Sequence, residues 1–375
     1  FNWRWGGPNR AEPTGRLRTP EHRVGKGMAE TKTQQDRELE TFSREQLHDF
    51  LRKMLLFRRF EEKAEESYAI GKIGGFCHLH IGQEAVALGF IGPLRENDYV
   101  ISAYREHTQA LAKGLEPGPV MAELYGRASG VSGGKGGSMH LFDRELRFMG
   151  GHGIVGAQTA LATGIAWSIR YRGDDQVCIC FMGDAAVNQG AFHESLNMAA
   201  IWKLPVIFVV ENNEYGMGTA FSRVSAVPVL EKGEGYGIPT HSVNGQDILE
   251  TWRFTEELVA KVRDGAGPQY VEARTYRFKG HSMSDPVSGT YRSKEEVKER
   301  TREQDPITLL RNRLLEAELL SQDELEEMDD RVREEVEEAA AFADDAPLPP
   351  EEDLYRDVYA QTNEHGRLFL DGRDR

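Results

Sequence analysis

Two short, wholly apolar runs, each ending abruptly in polar residues and separated by about one helix of chain, constrain the fold more than any other feature of the sequence. Val177-Cys178-Ile179-Cys180-Phe181-Met182 closes on Gly183-Asp184, and residues 206–210 lead to Asn212-Asn213. Such runs suit parallel strands covered on both faces. Between them Phe192, Leu196 and Ala199 recur at helical spacing over about 188–200, and Pro205 requires that helix to have ended. Strand, crossover helix and strand form a right-handed unit. Both polar corners therefore emerge at the carboxyl ends of parallel strands, where open α/β sheets bind ligands.

These corners hold the makings of a hard-cation site. Magnesium takes oxygen ligands in a near-octahedral shell, usually one or two carboxylates plus substrate phosphates. Asp184 supplies charge, Asn213 a neutral side-chain oxygen, and a backbone carbonyl just beyond it a third ligand. The helix beginning near Asn188 points backbone donors at the anion. Singly, Gly-Asp and Asn-Asn are ordinary turn dipeptides; the spacing gives them meaning.

The stretch from Gly183-Asp184-Ala185-Ala186 through Glu211-Asn212-Asn213-Glu214-Tyr215-Gly216-Met217-Gly218-Thr219 resembles the thiamine diphosphate motif of pyruvate dehydrogenase alpha subunits, within the 2-oxo acid dehydrogenase family. Gly75-Phe76-Cys77-His78-Leu79, Gly82-Gln83-Glu84-Ala85, Ala103-Tyr104-Arg105, Lys135-Gly136-Gly137-Ser138-Met139-His140, Gly153-Ile154-Val155-Gly156-Ala157-Gln158 and Gly280-His281-Ser282-Met283-Ser284-Asp285-Pro286 resemble that family's motifs in order. The resemblance runs over about residues 45–345. It implies a thiamine diphosphate-binding α/β fold and the cofactors thiamine diphosphate and Mg2+. By the same resemblance Asp184, Asn213 and the Tyr215 carbonyl hold the metal. Tyr104, Arg105 and His281 contact the diphosphate or order the loop over it, while Gly153, Val155, Ala185 and Ala186 line the cofactor with backbone groups. Arg105 has an independent rationale, since a guanidinium matches phosphate oxygens. His78 and His281 are the catalytic candidates at the reacting end, steering proton transfers.

The implied reaction is oxidative decarboxylation of a 2-oxo acid, with the acyl group passed to the lipoyl arm of a dihydrolipoyl acyltransferase. The family's glutamate for the aminopyrimidine ring belongs to a beta subunit, and no glutamate here matches it; an alpha2beta2 assembly follows. The 75–79 and 104–107 motifs resemble pyruvate enzymes more than branched-chain 2-oxo acid dehydrogenases, with acetoin dehydrogenases a close neighbour. Ser282 and Ser288 fall where mitochondrial relatives are phosphorylated, and read here as loop serines. One departure stands out: Ala185 occupies a position usually held by glycine, which requires ordinary dihedrals there and room for a methyl.

Composition narrows the setting. With 375 residues, 39% hydrophobic and 39 Gly, the chain has ample material for a core. A formal charge of -15 argues against nucleic acid as a partner. No apolar stretch approaches the ~18 residues that cross a bilayer, so no membrane partner is expected. Three cysteines, Cys77, Cys178 and Cys180, without a CxxC pair, indicate a reducing compartment, and Cys178 and Cys180 fall on one strand face as buried small hydrophobes. The first 27 residues carry six Lys or Arg against two Glu, a net of +4, with scattered Gly and Pro. They read as a disordered extension ahead of Met28. A mitochondrial presequence is the rival, but the glycines and prolines discourage its amphipathic helix; the expected location is a bacterial cytoplasm, with the mitochondrial matrix as alternative.

The expected organisation is a disordered extension over 1–40, a mostly parallel α/β domain over 41–345 with helices on both faces and a helical C-terminal part, and a tail over 346–375. Ser43 with Gln46 forms a capping box opening a long helix towards Gly71. Strands are expected over 99–102 and 270–275, and a helix rich in small residues over 150–171. Ser293 with Glu296 and Ser321 with Glu324 read as further capping boxes, the latter opening a strongly acidic helix whose charge is a solvated face.

Four other motifs compete. Gly151-His152-Gly153-Ile154-Val155-Gly156 matches the GxGxxG of nicotinamide-binding oxidoreductases, but Arg144-Glu145-Leu146-Arg147 ahead of it is no buried strand, and the next strand ends in Gly183-Asp184 without a lone ribose-binding acid. Gly130-Val131-Ser132-Gly133-Gly134 satisfies GxSxG, yet a helix over 120–128 precedes it. Gly133-Gly134-Lys135-Gly136-Gly137 has the flavour of a phosphate loop without the Ser or Thr that binds magnesium. His193-Glu194 begins a zincin pattern that Asn197 interrupts.

Overall fold

The apolar runs form β3 (Cys178–Gly183) and β4 (Val206–Asn212), paired in parallel from Cys178↔Val206 to Gly183↔Glu211 in a computed structural model that describes residues 38–354 and 356. Around them lie β1 (Tyr99–Ala103), β2 (Phe148–His152), β7 (Thr240–Asn244) and β8 (Gln269–Arg274), in the order β2-β1-β3-β4-β8-β7, every pairing parallel. A two-residue antiparallel hairpin, β5 (Tyr215–Gly216) with β6 (Thr219–Ala220), stands apart.

Because side chains alternate across a strand, β3 and β4 feed two cores. Ile179, Phe181, Ile207 and Val209 face a layer holding α1 (Arg44–Ala69), α2 (Glu84–Ile91), α3 (His107–Lys113) and α4 (Pro117–Leu124). Cys178, Cys180, Met182 and Phe208 face α5 (Ala157–Arg172), α6 (Gly190–Trp202) and α7 (Val229–Glu234). All three cysteines are buried and free, and Cys178 and Cys180 share a face as expected. The remaining helices are α8 (Ile248–Lys261), α9 (Lys294–Gln304), α10 (Pro306–Glu316) and α11 (Gln322–Asp345). No helix among the described residues is long and apolar enough to cross a membrane.

Several expectations need correction. Residues 150–156 are not helical: β2 occupies 148–152, and the helix starts only at Ala157, after Gly156 at φ +83°. Ser293 caps α9, but its box is not reciprocal, because Glu296 accepts the hydroxyls of Tyr215 and Tyr276 instead. The acidic face of α11 is only partly solvated: Asp329, Glu335 and Glu337 pair with Arg59, Arg52 and Lys63 of α1. Leu39 is buried and Glu38 pairs with Arg313, so the packed chain begins ahead of residue 41; the disorder expected over the earlier residues lies outside the described ones. At the other end Pro347 accepts the Ala128 N–H, and 351–354 form a 3-10 turn; the rest of the tail, beyond 356, also lies outside them.

Candidate active site

After β1 the chain moves outward to β2, and after β3 it moves the other way to β4, so the crevice between β1 and β3 is a topological switch point. A cavity of about 500 Å³ opens there, and every candidate catalytic, cofactor-binding and metal-binding residue borders it. Tyr104 and Arg105 follow β1, Gly153 and Val155 follow β2, Asp184, Ala185 and Ala186 follow β3, and Asn213 and Tyr215 follow β4. His78 arrives on the loop ahead of α2, and His281 on the loop beyond β8.

Asp184 and Asn213 face one space. Both are buried, and Asp184 Oδ2 and Asn213 Oδ1 have no hydrogen-bond partner. A buried polar atom left this way costs roughly 1–3 kcal/mol, so a pair of them on one wall fits a shared cation. Gln83 orients the amide: Asn213 Nδ2 donates to Gln83 Oε1 at 3.1 Å, which turns Oδ1 away from it. Burial pushes the Asp184 carboxyl up to about 6, against backbone N–H groups and the Arg277 charge that hold it down. The set of carboxylate, amide and carbonyl suits a hard cation. Among the described residues no group of three His, Cys, Asp or Glu offers a transition-metal alternative, and His193 of the zincin-like pattern lies 2.9 Å from the Tyr236 hydroxyl.

Tyr215 borders the cavity, and its hydroxyl donates to Glu296 at 3.0 Å. Glu214 at φ +73° and Met217 at φ +55° flank it, a costly conformation for side chains without Asn or Gly chemistry. Ala185 keeps an ordinary φ, and Gly216 supplies the room for its methyl: a Cβ on Gly216 would fall 2.4 Å from Ala185 Cβ.

Three rings crowd together on the cavity lining. His78 lies 4.4 Å from Tyr104 and 5.1 Å from His281 between ring centroids. Burial, then the nearby Arg105 charge, holds His78 down at about 2 and His281 at about 3. Both imidazoles are therefore neutral at physiological pH, offering an N–H and a lone pair rather than a stored proton. Arg105, expected to contact a diphosphate or to order a loop, orders two: its guanidinium donates to the Leu79 carbonyl at 2.6 Å and the His281 carbonyl at 2.7 Å. Ser282, buried beside His281, meets Ser284 Oγ at 3.0 Å.

Sequence reasoning missed Arg277. It is fully buried, borders the cavity, and donates to the Met217 carbonyl at 2.8 Å and the Tyr291 hydroxyl at 3.0 Å. An arginine just past the end of a buried strand on the ligand-binding rim was the available signal. The GxGxxG motif also changes reading. Residues 144–147 form a turn, as expected, but a strand does lead into the motif: β2, which shares Gly151 and His152 with it, is the sheet's edge, with β1 as its one neighbour and the motif's own next strand, β3, two places away.

Curated relatives bear names that match this geometry. The "Pyruvate dehydrogenase E1 component subunit alpha" of Rhizobium meliloti (strain 1021) is 50% identical over 318 residues, covering 84% of this chain and 91% of that protein. Its namesake from Zymomonas mobilis is 50% identical over 317 residues, covering 84% and 89%. A testis-specific mitochondrial form from Rattus norvegicus is 45% identical over 319 residues, covering 85% and 81%. The family described as "Dehydrogenase E1 component" matches residues 52–352, which run from α1 to the last turn described and take in every residue of the cavity, and the chain belongs to that family.

Proposed function

We propose that this chain is the alpha half of a thiamine diphosphate-dependent enzyme that decarboxylates pyruvate and passes the acetyl group to a lipoyl arm. The observation that carries the reading is the pair of buried, unpartnered oxygens of Asp184 and Asn213 on one cavity wall. In this reading Asp184, Asn213 and the Tyr215 carbonyl would hold Mg2+ for the diphosphate of the cofactor. When bound, the cofactor would supply a nucleophilic carbon and an electron sink for decarboxylation of a 2-oxo acid. The chain's own residues do the rest. Arg277 and Arg105 keep positive charge near the diphosphate end, Gly153, Val155, Ala185 and Ala186 present backbone, and neutral His78 and His281 orient the acyl end by hydrogen bonding.

The partner is a beta subunit in an alpha2beta2 assembly, with a lipoyl-bearing dihydrolipoyl acyltransferase as acceptor. The relatives' names support pyruvate over branched-chain 2-oxo acids or acetoin. A bacterial cytoplasm is the proposed setting, supported by bacterial relatives and three free cysteines. The test is copurification with a beta subunit, then calorimetry with thiamine diphosphate and Mg2+ and decarboxylation assays on pyruvate, branched 2-oxo acids and acetoin. Tight binding that Asp184→Asn weakens by at least about 10- to 100-fold, the usual loss for a mere outer-shell partner, is expected, with pyruvate the best substrate. Full turnover by this chain alone, or binding indifferent to Asp184→Asn, refutes the reading.

A further inference from the structure

Outside the cavity, four backbone N–H groups of one glycine-rich loop converge on a single carboxylate. Glu123, fully buried on α4, accepts from Ser132 and Gly134, both at 2.8 Å, through Oε2. Through Oε1 it accepts from Gly136 at 2.7 Å and Gly137 at 3.0 Å. An ionised carboxylate offers about four lone-pair sites, and this one has all of them filled by backbone donors. Converging backbone N–H groups of a glycine-rich loop make an anion-binding concavity, here with donors from four residues between 132 and 137. The segment with the flavour of a phosphate loop thus keeps an anion of its own. Its glycines are needed for the shape: Gly133 and Gly134 lie at φ +68° and +76°, and a Cβ on Gly130 would fall 2.3 Å from Glu123 Oε2.

The gripped loop runs directly into the cavity wall. Ser138, next after Gly137, has its Oγ 2.8 Å from His107 Nε2, and Met139 borders the cavity. His140 Nδ1 lies 2.9 Å from the Gly151 carbonyl, and its ring packs beside Gly153, where a Cβ would come within 3.5 Å. We propose that Glu123 is a positioning residue of the active site: its charge folds the glycine loop so that Met139 and His140 set the cavity wall beside Gly153. This rests on the functional reading above. Charge matters because hydrogen bonds to an ionised acceptor are roughly twice as strong as neutral ones. An amide of the same shape would turn an NH2 group towards two donors.

Hydrogen exchange on the unmodified chain, assembled with its beta subunit, tests the cage without any variant. The amides of Ser132, Gly134, Gly136 and Gly137 should exchange at least about 100-fold more slowly than open loop; open-loop rates overturn the proposal. In Glu123→Gln these amides should exchange faster, and kcat at saturating thiamine diphosphate, Mg2+ and pyruvate should fall by about 10- to 100-fold. KM for pyruvate should change by less than about threefold, the signature of misalignment rather than lost substrate binding. Glu123→Asp, which keeps the charge, should recover part of kcat and decides the matter if the glutamine variant does not fold. Glu116→Gln, at the exposed start of the same helix, should behave as unmodified protein. A loosened loop with unchanged kcat overturns the positioning role. Should the unmodified assembly fail to bind thiamine diphosphate, the functional reading fails, while the exchange rates still report whether Glu123 holds the loop.

Discussion

Ala185 and Gly216 share one space, and the size of one decides what the other can be. Gly216→Ala alone should destabilise by about 1–3 kcal/mol through overpacking and should weaken cofactor binding. Adding Ala185→Gly should recover most of that loss, and denaturant unfolding of the four proteins in the cycle measures the coupling. A second residue-scale effect concerns pH. Burial pushes the Glu106 carboxyl from its ordinary 4.5 up to about 8, with His107 pulling the other way. A raised acid stabilises the fold fully below 4.5, and that contribution is lost as pH rises towards 8. Glu106→Gln should therefore flatten the decline in unfolding free energy between about pH 5 and 8, and urea titrations at several pH values check it. Single residues were legible where a buried strand ended in them, as at Asp184 and Asn213. Glu123 and Arg277 were not, because their roles depend on backbone groups 9 to 60 residues away along the chain.

At the scale of elements, burial outweighs charge. Phe208→Ala on β4 should cost about 3–5 kcal/mol, since the side chain is wholly enclosed between sheet and helices. Glu337→Ala, which breaks a pair between α11 and α1 whose carboxylate is mostly exposed, should cost less than about 1 kcal/mol. Urea midpoints of both variants test the contrast. The sequence showed β1, β3, β4 and β8 because their apolar runs are short and sharply bounded. It concealed β2, whose Phe-Met-Gly-Gly-His offers no run, and β7, whose Thr-His-Ser-Val-Asn is polar because one edge of the strand is unpaired and its side chains are only partly covered. The Ser293 box misled for a similar reason: Glu296 has two tyrosine hydroxyls to accept, from elements distant in sequence.

Across the whole molecule, the sheet separates function from support. Cavity-lining residues gather at the carboxyl ends of the strands, while the opposite rim holds pairs such as Arg95–Asp175 that only brace loops. Asp175→Ala should leave thiamine diphosphate affinity within about twofold of unmodified protein, since its exposed pair contributes little and lies at the far rim; calorimetry on the assembled enzyme checks this. The parallel order was legible from the crossover rule, whereas the edge position of β2 required the folded chain. Arg105 shows what such an arrangement entails. Its two donors tie together carbonyls 202 positions apart, at residues 79 and 281. Both acceptors are main-chain groups that any residue supplies, so the side chains of either segment can be exchanged while the arginine keeps the two loops in step.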